Sequence, residues 1–297
     1  MAGGVDLPVV DLASPDLRAA AAAARQACVE HGFFYVTNHG VDGGLTEAVF
    51  AESKGFFDLP MEEKMKLQRR NHRGYTPPYA EKLDASSEFV GDLKESFYIG
   101  PIGDSDLQND LNQWPSEECL PSWKETMKLY IATVLDTSKR ILSLIALGLD
   151  FDAEFFHKNG ALDCPSTFLR LLHYPGYNTP FYCEVNESDS GNYGASAHSD
   201  YGAITLLVTD GTPGLRICRE KDRDPQLWED VHHIDGSTLH RVVAVGKERY
   251  SAAFFLDPNY DTVVQCIESC CSEADPPRSP FSLSIWLVLF AVASHAL

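Results

Sequence analysis

The feature that most constrains the fold is a change of pattern halfway along the chain. From Pro121 to Leu149 apolar residues recur at helical spacing, over a length that suits a helix packed on a core. From Phe168 onwards the chain consists of short β-branched and aromatic runs separated by Gly, Pro and Asn. This change predicts a long bracing helix followed by an all-β core.

The N-terminal third carries two further helical patterns. Ser14 followed by Pro15 is a typical helix start, and the alanine-rich run after it continues to His31. Val41 to Asp58 predicts a second amphipathic helix, with a strand at Phe33 to Thr37 between the two. The chain is therefore predicted to have a mixed α/β fold.

A candidate metal-binding pair opens one of the predicted strands. His198 and Asp200 are two residues apart, so in a strand their side chains point to the same face. One imidazole and one carboxylate supply two members of a 2-His-1-carboxylate triad, which holds Fe(II) and leaves positions open. The pair alone is a weak signal, because a chain with 10 His and 43 acidic residues contains a second such pair at His233 and Asp235.

Residues downstream support the interpretation of His198 and Asp200 as metal ligands. His240 lies in a strand-like run and offers a second imidazole from a neighbouring strand. Arg249 and Ser251 share one face of the next predicted strand, where a guanidinium beside a hydroxyl suits a carboxylate ligand.

In this order, these motifs resemble the plant-type 2-oxoglutarate- and Fe(II)-dependent dioxygenases, to which isopenicillin N synthase is related. The resemblance runs from about Leu7 to about Pro277 and includes the segments 8–12, 32–40 and 56–60. It implies a double-stranded β-helix, or jelly-roll, core flanked by N-terminal helices. It also implies an N-terminal region over residues 1–120 and a long helix plus jelly-roll domain over 121–280. The hydrophobic tail over 281–297 is atypical of the family.

The resemblance assigns roles to six residues. His198, Asp200 and His240 would bind Fe(II), while Arg249, Ser251 and Tyr174 would hold the co-substrate 2-oxoglutarate. The implied reaction oxidises a C–H bond of a small organic metabolite with O2 and releases succinate and CO2. Ascorbate is a candidate reductant. Four aromatic residues are candidate substrate contacts: Tyr75, Tyr79, Phe89 and Phe97.

Two departures from the family pattern bear on activity. Ile234 to Gly236 runs straight into Ser237, where the family has a further strand, turn and strand, so one core strand pair is apparently missing. His240 could then fail to reach the metal, and His232 or His233 could replace it. The tail from Phe281 to Ala293 is apolar but shorter than the roughly 20 residues of a membrane-spanning helix, so an exposed strand or a docked helix is favoured over an anchor.

Composition limits the partners. The net charge of −19 disfavours nucleic acids and anionic membranes, so an anionic substrate must be attracted by local cations. The eight Cys lack paired CxxC spacing, and the N-terminus lacks a secretory signal. We expect a cytoplasmic monomer with reduced thiols that binds a small-molecule substrate.

Two other functions stay open at this point. A zinc-type hydrolase could use the same His and Asp ligands but would leave Arg249 and Ser251 unexplained. A catalytically impaired relative that binds a small molecule or a partner protein would be consistent with the missing segment.

Overall fold

The fold is that of a computed structural model, which describes residues 7–83, 91–102, 111–176, 193–200, 202–220, 226–230, 239–263 and 288–292. Within these ranges, no helix has the length and apolar character needed to cross a membrane.

Five helices are described. They are α1 (Leu17–Glu30), α2 (Gly43–Phe57), α3 (Met61–Lys66), α4 (Trp123–Gly148) and α5 (Phe155–Lys158). The N-cap of α1 is Asp16 rather than Ser14, because the Asp16 carboxylate accepts hydrogen bonds from the backbone N–H groups of Arg18 and Ala19. The prediction of a Ser14 cap was wrong by two residues.

Helix α4 is the bracing helix that the apolar periodicity predicted. Its buried positions include Trp123, Met127, Tyr130, Val134 and Ile141, which recur three, four or seven residues apart along one face. That face packs against α1, α2 and the large sheet.

Twelve strands lie in the described ranges, and they form two sheets. They are β1 (Val9–Asp11), β2 (Phe33–Thr37), β3 (Gly74–Thr76), β4 (Glu95–Ile99), β5 (Ser166–Tyr174), β6 (Tyr193–His198), β7 (Ile204–Thr209), β8 (Leu215–Glu220), β9 (Leu227–Asp230), β10 (His240–Val243), β11 (Arg249–Asp257) and β12 (Val288–Val292). The large sheet has the order β1-β2-β12-β7-β11-β5-β4-β3, and the small sheet has the order β6-β10-β8-β9.

Alternation along the strands divides the core into two parts. On β5, Leu169 and Leu171 face the helices and join the larger apolar cluster. Leu172 and Tyr174 are in a second cluster, with Val242 and Leu215 of the small sheet. The space between the two sheets is therefore the place where side chains from β5, β7, β10 and β11 can meet.

The eighth place of the jelly roll is filled from the C-terminal tail. A double-sheet jelly roll has eight strands. Among the described residues, seven strands, β5 to β11, lie between Ser166 and Asp257, and β12 is the eighth strand after the bracing helix. Strand β12 lies between β2 and β7 and runs parallel to both. The described part of the tail is thus a strand, as one of the two expectations had it, and it is paired on both edges; the alternative of a docked helix was wrong.

Candidate metal centre

Three side chains that the sequence singled out converge between the sheets. His198, Asp200 and His240 each offer one ligand atom, and these atoms all lie within 4.8 Å of one another. The Asp200 carboxylate is 3.6 Å from His198 Nε2 and 3.8 Å from His240 Nε2. Two imidazoles and one carboxylate at this separation fit one small divalent cation.

The local structure brings these residues together in a way that the sequence only partly predicted. Strand β6 ends at His198, so Asp200 lies in the segment after the strand rather than on it. The prediction that both side chains share a strand face was wrong in this detail. His240 begins β10 and pairs directly with His198 across the small sheet, and the two ring centroids are 4.3 Å apart.

A backbone carbonyl sets the orientation of His198. Its Nδ1 is 2.7 Å from the carbonyl oxygen of Ser196, which can only accept, so Nδ1 carries the proton. The lone pair of Nε2 is then directed at Asp200 and His240. Burial, followed by the neighbouring His240, lowers the pKa of His198 to about 4, so this imidazole is neutral at neutral pH. A neutral imidazole is the form that binds a metal.

Asp92 holds the strand that carries His198. One oxygen of its buried carboxylate accepts hydrogen bonds from Ser196 N at 3.0 Å and from Ser196 Oγ at 2.6 Å. Its other oxygen is 2.6 Å from Lys94 Nζ, also buried. The carboxylate therefore ties β6 to the start of β4 two residues before the metal-binding imidazole.

A buried guanidinium lies at one end of the same cavity. Arg249 is 2% exposed, donates to Ser251 Oγ at 3.4 Å and to the Thr212 carbonyl at 3.1 Å, and lies over the ring of Tyr174. Tyr174 is the direct cross-strand partner of Arg249. In the described ranges, no carboxylate of the protein lies within ion-pair distance of Arg249. A buried cation without a protein anion is costly unless a ligand supplies the anion.

All six predicted site residues line one cavity. It contains the triad, Arg249, Ser251 and Tyr174, together with Lys94, Arg170, Thr205 and a set of apolar side chains: Leu83, Leu172, Ala195, Leu207, Leu215, Val242, Ala253 and Phe255. The alternative ligands His232 and His233 lie outside the described residues.

Sequence reasoning missed two cations that line this cavity, Lys94 and Arg170, and the carboxylate of Asp92 that binds Lys94. Lys94 and Asp92 fall in the stretch 68–115, whose mixed sequence pattern predicts no regular element. Arg170 could have been found, because it precedes Tyr174 by four residues on one strand and so shares its face. Two suggested substrate contacts were wrong: Tyr75 and Phe97 lie in the apolar cluster against the helices. Phe89 lies outside the described residues, and Tyr79 stays a prediction.

Family comparisons match both halves of the chain. Residues 7–117 match the family described as "non-haem dioxygenase in morphine synthesis N-terminal", and residues 165–258 match the "2OG-Fe(II) oxygenase superfamily".

Curated relatives match along most of their length. Kihadalactone A synthase LFS from Citrus sinensis is 38% identical over 93% of this chain and 90% of its own. Azadirone synthase LFS from Melia azedarach is 34% identical over 94% of this chain and 89% of its own.

Solved structures show the same fold. A full-length Neurospora crassa protein in complex with alpha-KG superposes with a TM-score of 0.78 at 27% identity, covering 94% of this chain and 93% of that one. JOX2 in complex with 2OG, Fe and JA gives a TM-score of 0.72 at 25% identity, covering 94% of this chain and 82% of that one.

Proposed function

The chain belongs to the 2OG-Fe(II) oxygenase superfamily, and from this premise we propose that His198, Asp200 and His240 are its iron ligands. The enzyme is an Fe(II)- and 2-oxoglutarate-dependent oxygenase that oxidises a C–H bond of a small organic metabolite. The relatives support this activity and not the alternative of a catalytically inactive binder.

The donor set suits the metal. Two imidazoles and one carboxylate would leave positions on the metal for a keto acid and for O2. Iron held by His198, Asp200 and His240 would supply, together with 2-oxoglutarate and O2, the power to oxidise the substrate C–H bond, with succinate and CO2 as co-products. The other residues of the site would orient the bound molecules, pair with their charges and exclude water.

The observation that carries the co-substrate assignment is the buried charge of Arg249. The guanidinium is nearly inaccessible and, within the described residues, faces no protein carboxylate. A bound carboxylate would pair with it through two parallel hydrogen bonds, and Ser251 Oγ would add a third donor. We assign the far carboxylate of 2-oxoglutarate to Arg249 and Ser251.

Tyr174 and the apolar lining complete this binding site. The Tyr174 ring packs on Arg249 and fixes its orientation, and burial raises the pKa of the Tyr174 hydroxyl, so this group stays protonated and can donate. Leu172, Leu207 and Val242 surround the space between Arg249 and the triad. They exclude water from the carbon chain of the keto acid and from the reacting C–H bond.

Anaerobic titration of the purified enzyme with Fe(II) and then 2-oxoglutarate tests this assignment. A keto acid chelated to Fe(II) gives a visible charge-transfer band, which we expect in the wild type. His240→Ala should abolish the band, whereas the control His233→Ala should keep it. A band that survives His240→Ala but not His233→Ala would transfer the third ligand to His233 and overturn the proposed triad.

The substrate class, the cellular location, the oligomeric state and the reductant are further parts of the proposed function. The names of the relatives and structures mention different small molecules, among them kihadalactone A, azadirone and JA, so we propose a small organic metabolite as the substrate without naming one. We propose that the enzyme works as a cytoplasmic monomer, with ascorbate as reductant. The net charge of −19 supports the absence of a nucleic-acid partner.

A further inference from the structure

The cavity has a second cationic wall that the proposed function does not use. Arg170 of β5 and Lys94, just before β4, line the same space as the triad and Arg249. Lys94 is 2% exposed as a side chain, and Arg170 is 11% exposed. Each has a carboxylate partner, Asp92 for Lys94 and Glu81 for Arg170, and both side chains also border a cavity lined largely by apolar groups.

The strand register separates this wall from the co-substrate anchor. Arg249 pairs with Tyr174 across β11 and β5, whereas Arg170 pairs with Ala253. Arg170 and Tyr174 lie four residues apart on one face, which corresponds to about 13 Å along the strand. A 2-oxoglutarate molecule held by Arg249 and chelated at the triad has no carboxylate left for Arg170.

The wall lies on the side of the metal ligands. Asp92 bonds to Lys94 Nζ at 2.6 Å and to Ser196 Oγ at 2.6 Å, and Ser196 precedes the iron ligand His198 by two residues. Lys94 is therefore a neighbour of the strand end that carries the metal site. A group bound by this wall would sit near the position where the C–H bond is oxidised.

Some hydrogen-bond donors along this cationic wall have no partner in the described part of the chain. Arg170 Nη2 donates to Glu81 and, at 3.4 Å, to Ser96 Oγ, and Lys94 Nζ is 3.7 Å from Glu81. Among the described residues, Arg170 Nε and Thr205 Oγ1 are buried without a hydrogen-bond partner, although both side chains line the cavity. Burial and then the charge of Arg170 lower the pKa of Lys94, although Asp92 and Glu81 act in the opposite direction. An oxygen acceptor in the cavity would supply the missing partner of these buried donors.

We propose that Arg170 and Lys94 form the recognition site for a carbonyl or carboxylate oxygen of the prime substrate, on an otherwise apolar skeleton. The apolar remainder would pack on Leu83, Leu207 and Phe255, which also line the cavity. The inference rests on the proposed function and adds the chemical class of the substrate.

Three shape-matched probes test the recognition site: 1-naphthoate, 1-acetylnaphthalene and 1-ethylnaphthalene. Their binding is measured by equilibrium dialysis to the Fe(II) enzyme under argon with saturating 2-oxoglutarate, so that Arg249 is already occupied. The wild type should bind the two oxygenated probes at least tenfold more tightly than 1-ethylnaphthalene. Equal binding of the three probes would overturn the proposal.

Arg170→Gln should remove this preference, an effect of about tenfold to a hundredfold. Arg170→Lys keeps the charge and should retain part of the preference for 1-naphthoate. It replaces Arg170→Gln as the test variant if Arg170→Gln does not fold. The control Arg216→Gln changes a partly exposed arginine paired with Asp230 and should bind the probes as the wild type does.

The charge-transfer band separates this inference from the proposed function. A missing band in the wild type refutes the proposed function itself. A normal band with an unchanged probe preference in Arg170→Gln refutes only the recognition site. If Arg170→Gln weakens 2-oxoglutarate and the probes equally, Arg170 belongs to the co-substrate anchor and the inference is wrong.

Discussion

At the scale of single residues, Arg249 should separate co-substrate binding from metal binding. Arg249→Lys keeps the positive charge but loses the planar pair of donors, and lysine cannot reproduce the contact to the Thr212 carbonyl from the same position. We expect the affinity for 2-oxoglutarate to fall about tenfold to a hundredfold, with Fe(II) affinity nearly unchanged. Titration of the charge-transfer band gives the first quantity, and equilibrium dialysis of the metal gives the second.

A matched substitution makes the Arg249 result specific. Arg216→Lys alters an arginine on β8 whose partner is the exposed Asp230, so it should change neither affinity. An equal loss of metal and 2-oxoglutarate in Arg249→Lys would contradict the assignment of Arg249 to the far carboxylate.

Asp92 should act on the iron through His198. Its carboxylate fixes Ser196, whose carbonyl in turn orients the imidazole. Such outer contacts are typically worth 10- to 100-fold in metal affinity, so we expect Asp92→Asn to weaken Co(II) or Fe(II) binding by about tenfold or more. Ser196→Ala removes only the hydroxyl contact and should have a smaller effect.

The spectrum of the Co(II)-substituted enzyme distinguishes positioning from general damage. A reoriented His198 should change the visible d–d bands of Asp92→Asn, while Asp230→Asn, at an exposed surface pair, should leave them as in the wild type. If Asp92→Asn melts earlier but has wild-type Co(II) bands and affinity, Asp92 only stabilises the fold.

At the scale of elements, helix α3 is fixed to the large sheet by one buried ion pair. Lys64 Nζ donates at 2.8 Å to Glu95 and at 2.8 Å to the carbonyl of Phe57, and its side chain is 3% exposed. The Glu95 carboxylate also accepts from Tyr75 and contacts His173 at 2.7 Å. The cluster joins α2, α3, β3, β4 and β5 on the side of the sheet away from the cavity.

Lys64→Met should therefore destabilise the enzyme strongly. Removing one partner leaves the Glu95 charge buried, which costs about 3–5 kcal/mol and lowers the melting temperature by about 10 °C. Lys66→Met is the matched control on the same helix, because Lys66 pairs with Glu63 at the exposed surface. Thermal unfolding checks both variants, and equal melting temperatures would show that the Lys64 pair contributes little.

Elements with strong local patterns could be predicted from the sequence. Helix α4 was expected from Pro121 to Leu149 and runs from Trp123 to Gly148, and the strands around His198, His240 and Arg249 were all anticipated. These patterns are local, since periodicity and turn residues specify them within a short window. The buried pair of Lys64 and Glu95 is 31 residues apart in sequence, and no local signal announces it.

The site residues also divide into those that a local sequence pattern predicts and those whose position depends on the whole fold. Arg249 and Ser251 were correctly predicted to share a face because strand alternation is a local rule. Lys94 was missed because its burial depends on the fold of the whole segment around it. Asp200 lies close to both imidazoles although it follows the end of β6, so its position depends on the segment after the strand and not on strand alternation.

At the scale of the whole molecule, strand β12 was beyond sequence reasoning. An apolar run near the chain end is compatible with an anchor, a docked helix or a strand, and its partners are remote in sequence. It pairs with Phe33 to Tyr35 on one side and with Ile204 to Val208 on the other. The strand that completes the large sheet therefore comes from the opposite end of the chain to β2, and pairing of this kind is costly in loop-closure entropy.

The C-terminal strand should consequently be required for a soluble enzyme. Ending the chain at Leu287 removes β12 and leaves β2 and β7 with facing unpaired edges in the middle of the sheet. The lost backbone pairing amounts to on the order of several kcal/mol, a large part of the roughly 5–15 kcal/mol that stabilises a typical domain. Unpaired apolar edges also favour association between copies, so we expect low soluble yield and concentration-dependent aggregation.

Ending the chain at Val292 instead retains β12 and is the matched control, which should be soluble with wild-type melting. Light scattering and thermal unfolding of the two truncated chains decide the matter: a Leu287-terminated protein that is monodisperse and melts like the control would show that β12 does not hold the sheet together.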